Sequence, residues 1–215
     1  MEALRRLHNQ KKRELIVQTV KPGSYVLDCG CGRGGDLQKW RDVNAVVFGV
    51  DPDHASIDEA YGRRDLLGMK HRVRFHPGDI FVAEKFGPFD VVCYNFSIHY
   101  IADCLKDSAK AIARTTKRGG LLIGITPDLD RVKMFRSPDA LGNTVEPIDD
   151  KTISVRLVDG PFYADGARPE PVITRAALEE ALKPWFECIQ WKPMLDVPNG
   201  LVSDIYSTFI FRRKY

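Results

Sequence analysis

Val26-Leu27-Asp28-Cys29-Gly30-Cys31-Gly32-Arg33-Gly34-Gly35-Asp36 decides the fold of this 215-residue chain. An apolar lead-in ends at an acid, glycines alternate, and a helical pattern begins. Glycines accept positive φ and let backbone approach a ligand closely. At a strand-to-helix turn they form a nucleotide-sized cradle. Gly30, Gly32 and Gly35 also fit the dinucleotide spacing G-x-G-x-x-G, a short pattern of low specificity. Asp28 discriminates further. A dinucleotide loop presents a helix N-terminus to a pyrophosphate, beside which an acid is unhelpful. An acid there suits a cationic ligand, such as the ammonium and sulfonium of S-adenosylmethionine. Asp51 closes the next apolar run, Ala45 to Val50, where a ribose-binding acid belongs.

Working outward, the chain alternates strands and helices. Glu2 to Val20 carries Leu4, Leu7, Leu15, Ile16 and Val20 among charges, an amphipathic helix with an expected break near His8-Asn9. Tyr25 to Asp28, Ala45 to Val50, Arg72 to Phe75, Phe89 to Tyr94 and Leu121 to Ile125 read as five strands. Helices are expected from Asp36, after Pro52, and over Cys104 to Thr115, with a turn at Lys117-Arg118-Gly119-Gly120. This is the pattern of a doubly wound, mostly parallel α/β sheet. Right-handed crossovers bring the C-terminal strand ends to one edge, where ligands bind. Asp28, Asp51, Asp79, Asn95 and Thr126 all fall at such ends.

Residues 131 to 170 read as an insertion over that edge. Thr152 to Leu157 alternates as a strand, while Asp159-Gly160-Pro161 and Asp165-Gly166-Ala167-Arg168-Pro169 read as breaks. Thr174 caps a helix through Leu182, and Glu187 to Trp191 with Ile205 to Phe211 make an antiparallel terminal strand pair. The length suits a single domain spanning residues 1–215.

Net charge is only +3, so nucleic-acid contact requires local patches. Basic residues cluster at Arg5, Arg6, Lys11, Lys12 and Arg13, and at Arg63, Arg64, Lys70, Arg72 and Arg74. The five cysteines show no C-x-x-C pair, so neither zinc spacing nor a disulfide framework is expected. With no long apolar run and no leader pattern, an intracellular protein without membrane contact is the expectation.

Asp28 to Trp40, read as D-x-G-C-G-x-G-G-D-L-x-K-W, resembles the mRNA cap guanine-N7 methyltransferases. Asn95-Phe96-Ser97-Ile98-His99-Tyr100 is similar to the family's Q-F-x-x-H-Y, with Asn for Gln. Asn9-Gln10-Lys11-Lys12, Gly124-Ile125-Thr126-Pro127-Asp128, Pro169-Glu170 and Ile205-Tyr206 resemble further family segments. Pro171 stands where the family has an aromatic, and the insertion is short. The resemblance runs from about Leu7 to Phe211 and implies a Rossmann-like class I methyltransferase fold. It implies S-adenosylmethionine as cofactor and the 5′ GpppN end of capped RNA as substrate. Other capping-enzyme domains or subunits are the implied partners.

The same resemblance implies roles. Lys12 and Arg33 reach the methionine carboxylate of the cofactor. Asp28, Gly30 and Gly32 hold its ammonium end, Asp51 its ribose, and Asp79 with Ile80 its adenine. Asn95 reaches the adenosine edge. His99 and Tyr100 sit at the guanine and at the junction of the two ligands, with Phe96, Pro127, Glu170 and Tyr206 around the base. Arg63 meets the triphosphate bridge, with Lys39 a second candidate. Catalysis is assigned to His99, Tyr100 and Glu170, with no metal. Guanine N7 has a free lone pair and needs no general base, so positioning suffices. The alternatives are a methyltransferase acting on another small molecule or protein, a nicotinamide oxidoreductase disfavoured by Asp28, and a catalytically silent RNA-binding subunit.

Overall fold

The computed structural model describes residues 2–158 and 166–215. Five parallel strands form the heart of the sheet: β1 (Tyr25–Cys29), β2 (Val46–Asp51), β3 (Val73–Pro77), β4 (Phe89–Asn95) and β5 (Thr116–Pro127). Three more, β6 (Thr144–Pro147), β7 (Thr152–Arg156) and β8 (Arg168–Pro171), form a separate small antiparallel sheet. The chain ends in β9 (Phe186–Pro193) and β10 (Tyr206–Arg213). The large sheet runs β3-β2-β1-β4-β5-β10-β9, with β10 antiparallel to both neighbours. Its order reverses at β1/β4, and that reversal opens a crevice above the strand ends.

Helices cover both faces. α1 (Glu2–Thr19), α2 (Leu37–Asp42) and α3 (His54–Leu66) bury Leu15, Ile16, Leu37, Trp40, Ile57 and Ala60 on one side. α4 (Ile80–Ala83), α5 (Leu105–Thr115) and α7 (Arg175–Leu182) bury Ile80, Ile112, Leu178 and Leu182 on the other. The short α6 (Leu129–Met134) joins the small sheet instead. Trp40 is fully buried. Truncating such an indole to alanine costs about 3–5 kcal/mol.

Three local expectations are corrected. α1 runs unbroken through His8-Asn9, because both side chains find partners on neighbouring elements. Lys117 to Gly120 belongs to β5, as a bulge between the pairs Phe89↔Thr116 and Val91↔Leu121. Arg168 and Pro169 belong to β8, which tolerates two prolines because it is an edge strand of its sheet. The expected breaks at Asp159-Gly160-Pro161 and Asp165 lie outside the described residues. Among the described residues no helix is long and apolar enough to cross a membrane.

Candidate functional site

The glycine turn leaves β1 with Gly30 at φ +72° and Gly32 at φ +48°. A Cβ on Gly30 would lie 2.5 Å from Ser97 Cβ, so close packing as well as dihedral angle demands glycine there. Ser97 is itself pinned, its hydroxyl donating to the Cys29 carbonyl at 2.7 Å. A Cβ on Gly32 would meet no protein atom within 4 Å. The space above it is open.

Asp51 braces this turn. Its Oδ2 accepts from the Gly32 amide at 2.8 Å and its Oδ1 from the Asp53 amide at 3.0 Å. Each oxygen keeps a lone pair for a ligand hydroxyl. Asp79 is exposed, caps α4, and accepts from the Phe81 amide at 3.0 Å. Between them lies a cavity of about 530 Å³ lined by Gly30, Asp51, Asp79 and Ile80, with Phe96 and Tyr100 on another wall. That volume is in the range of small-molecule sites.

Beneath the loop sits a buried cluster of charges. Asp28 is 5% exposed and accepts a 2.9 Å bond from Trp40 Nε1. Burial, and then the nearby Asp36 charge, push its carboxyl up to about 7. Asp36 pairs with Lys12 at 2.7 Å and Lys39 at 2.8 Å. Asn95 turns toward the same cluster, its Nδ2 donating to Asp36 Oδ2 at 3.1 Å. So Lys12, Asp28 and Asn95 converge beside the cavity rather than lining it. Lys39 is 4% exposed and engaged, which removes it as a triphosphate contact. Arg33 is exposed and faces Glu59 at 3.4 Å. Arg63 is exposed four residues further along α3.

Of the second group of candidate residues, Phe96 and Tyr100 line the cavity and His99, Pro127, Glu170 and Tyr206 do not. His99 is buried, and both its ring nitrogens lack a hydrogen-bond partner. Burial lowers its pKa to about 4. Its ring lies 4.2 Å from that of Tyr100, which is 61% exposed at the cavity mouth. Glu170 lies on β8 opposite Ile153 and raises the pKa of both Tyr100 and Tyr206, secondary in each to burial. Pro127 pairs with Tyr206 at the β5/β10 strand ends. Phe96 takes φ +61°, rare outside glycine, and packs edge-on against Tyr206 with centroids 4.9 Å apart. Phe96, Pro127 and Tyr206 thus meet at the β5/β10 strand ends and His99 lies against Tyr100, while Glu170 lines a separate hollow with Ala102, Leu105 and Ile173. No cluster of metal-ligating side chains occurs among the described residues.

A family model for the mRNA (guanine-N(7))-methyltransferase domain matches residues 1–155. The chain belongs to that family. The mRNA cap guanine-N(7) methyltransferase of Saccharomyces cerevisiae is 34% identical over 153 residues, covering 63% of this chain and 35% of that protein. The Schizosaccharomyces pombe enzyme of the same name is 29% identical over 98% of this chain and 67% of its own length. The chain therefore spans about a third of one relative and two thirds of the other. Among solved structures, the PH0226 protein of Pyrococcus horikoshii superposes with TM-score 0.71 at 22% identity, covering 97% of this chain and 91% of its own. An S-adenosylmethionine-dependent methyltransferase from Clostridium acetobutylicum gives 0.67 at 18% identity, covering 98% and 92%. These two show the fold.

Within this family framework two residues stand out that sequence reasoning did not single out. Asp36 was read as the start of a helix, yet it organises both lysines and Asn95. His8 was read as a helix break, yet its ring stacks on Phe96 with centroids 5.0 Å apart. The G-G-D spacing and the i, i+4 relation of His8 to Lys12 were the available signals.

Proposed function

We propose that this chain transfers the methyl group of S-adenosylmethionine to guanine N7 of a 5′ GpppN RNA end, its 215 residues acting as one methyltransferase unit. The observation that supports the reading is one cavity walled by the acid-braced glycine turn on one side and by Phe96 and Tyr100 on the other, with Glu170 near enough to raise the Tyr100 pKa. The residues fit the cofactor: a cavity of about 530 Å³ is framed by Gly30, Asp51, Asp79 and Ile80, and the space above Gly32 is free. When bound, the cofactor supplies an electrophilic methyl carbon on a positively charged sulfur.

The rest is the chain's own work. Asp51 accepts from the ribose hydroxyls and Asp79 from the adenine amine, with Ile80 against the ring. Asp28 faces the ammonium. Lys12 and Arg33 give the methionine carboxylate charge-assisted bonds, Lys12 while still paired to Asp36. Glu170 accepts from guanine N1–H and N2–H and opposes the positive charge that develops on the ring. Phe96, Pro127, His99, Tyr100 and Tyr206 hold the base in line and exclude water. Arg63 meets the triphosphate. Partner domains or subunits of a capping apparatus, and an intracellular location, belong to the same proposal.

Incubation with labelled S-adenosylmethionine and, separately, GpppA, GTP and ATP tests it. Label on GpppA but not on ATP is expected. Cofactor binding with transfer to none of them would favour a methyltransferase of another substrate class.

A further inference from the structure

α1 is the element that spans both sides of the site. At roughly one-turn intervals its inward face presents Leu4, His8, Lys12 and Ile16. Leu4 enters the apolar cluster of the small sheet, beside Val202 and Ile205. Lys12 pairs with Asp36 at 2.7 Å, and Ile16 is fully buried under the main sheet. His8 lies between. Its ring stacks on Phe96 at 5.0 Å and meets the Tyr206 ring edge-on at 5.4 Å. Its Nε2 lies 2.9 Å from the hydroxyl of Ser203, a residue with no exposure.

We propose that His8 is a positioning residue for substrate, holding the Phe96 and Tyr206 rings as a pre-set wall for the guanine base. The inference rests on the guanine-N7 reading above. Phe96 lines the ligand cavity while keeping a backbone conformation that a bulky residue seldom adopts. Something must over-determine it, and the His8 ring flat against one face does so. The three rings form a closed set, since Phe96 and Tyr206 also pack edge-on at 4.9 Å. Neither His8 nor Tyr206 lines the cavity, so His8 acts through the Phe96 ring that does, with Tyr206 packed behind it. Burial, with Lys12 one turn away, lowers its pKa to about 4. The ring therefore stacks as the neutral imidazole, without adding a charge behind the base.

Two parts of His8 are separable. His8→Phe keeps a flat ring and loses the Ser203 contact. His8→Asn keeps a polar group near Ser203 and loses the ring. The measurements are KM and kcat for GpppA, with calorimetric affinity for S-adenosylhomocysteine beside them. His8→Ala is expected to raise the GpppA KM about tenfold, with kcat and S-adenosylhomocysteine affinity held within about twofold. His8→Phe should restore most of the KM, and His8→Asn should not. An unchanged KM in His8→Ala overturns the inference. So does recovery by His8→Asn and not His8→Phe, which would make the residue a structural tie to Ser203. Wild-type protein that binds S-adenosylhomocysteine but leaves GpppA unmethylated would instead overturn the guanine-N7 reading itself.

Discussion

The Gly32 amide donates a 2.8 Å hydrogen bond to Asp51 Oδ2, locking the first strand's turn to the end of the second. One carboxylate thereby shapes the loop and still faces the cavity. A Cβ at Gly32 would meet no protein atom within 4 Å and would point into the open space, and a branched residue at φ +48° is strained. Gly32→Val is expected to fold, by circular dichroism, and to lose calorimetric binding of S-adenosylhomocysteine. Near-wild-type affinity in the folded variant would show that the turn is not the cofactor's cradle.

On the role proposed for Asp28, cofactor affinity is expected to depend on pH. Burial and the Asp36 charge raise its carboxyl to about 7, so the free protein carries it largely protonated at pH 6. An ammonium beside Asp28 favours the carboxylate, so binding expels a proton below pH 7 and none well above. Affinity should rise with pH up to about 7, by at most tenfold per unit for one proton, and then level off. Calorimetry of S-adenosylhomocysteine at pH 6 in buffers of different ionisation enthalpy reads that proton, and Asp28→Asn should abolish it. The same folded-state pKa, raised above the usual carboxylate value, gives a stability contribution present at low pH and lost as pH climbs through 7. A proton release that survives in Asp28→Asn would assign it to another group.

A substitution at Glu170 is expected to separate substrate recognition from cofactor binding. Glu170→Gln keeps the shape, turns one acceptor toward guanine's donors into a donor, and removes the charge that favours the methylated ring. The expected loss in kcat/KM for GpppA is at least ~100-fold, about 2.7 kcal/mol of transition-state stabilisation. S-adenosylhomocysteine affinity should barely change, because Glu170 stands on the small sheet away from the glycine turn. Methylation of GpppA at the wild-type rate would remove Glu170 from the base.

Arg63 is exposed on α3, on the helix that also presents Glu59 to Arg33. Charge reversal, Arg63→Glu, should raise the KM for capped RNA and flatten its dependence on salt, since one phosphate contact fewer remains to be screened. Equal KM values and equal salt slopes in variant and wild type would place the triphosphate elsewhere.

The strand-end acids were legible because apolar runs ending in Asp28 and Asp51, and a short strand ending at His76-Pro77-Gly78-Asp79, have a direct structural meaning in a parallel sheet. The terminal pair β9 and β10 and the Thr174 cap followed from equally local patterns. Residues that act through distant partners were hidden. The unbroken course of α1 depends on Ser203 and Lys39, far away in sequence, holding His8 and Asn9. β8 is a strand despite its two prolines because β7 pairs with it on one side only. Lys39 carries the signature of a solvated helix cation, and only the fold brings it against Asp36. Sequence reading placed charged and aromatic residues at the strand ends. It could not see which of those charges neutralise one another.

Guanine N7 methylation is tested most directly by locating the transferred carbon. The protein is incubated with methyl-¹³C S-adenosylmethionine and GpppA, the cap is cleaved to nucleosides, and the labelled product is identified by its ¹³C resonance and mass. The label is expected on N7 of guanosine alone. Label on a ribose oxygen, on adenosine or on the protein itself, with GpppA guanine unmodified, would contradict the assignment.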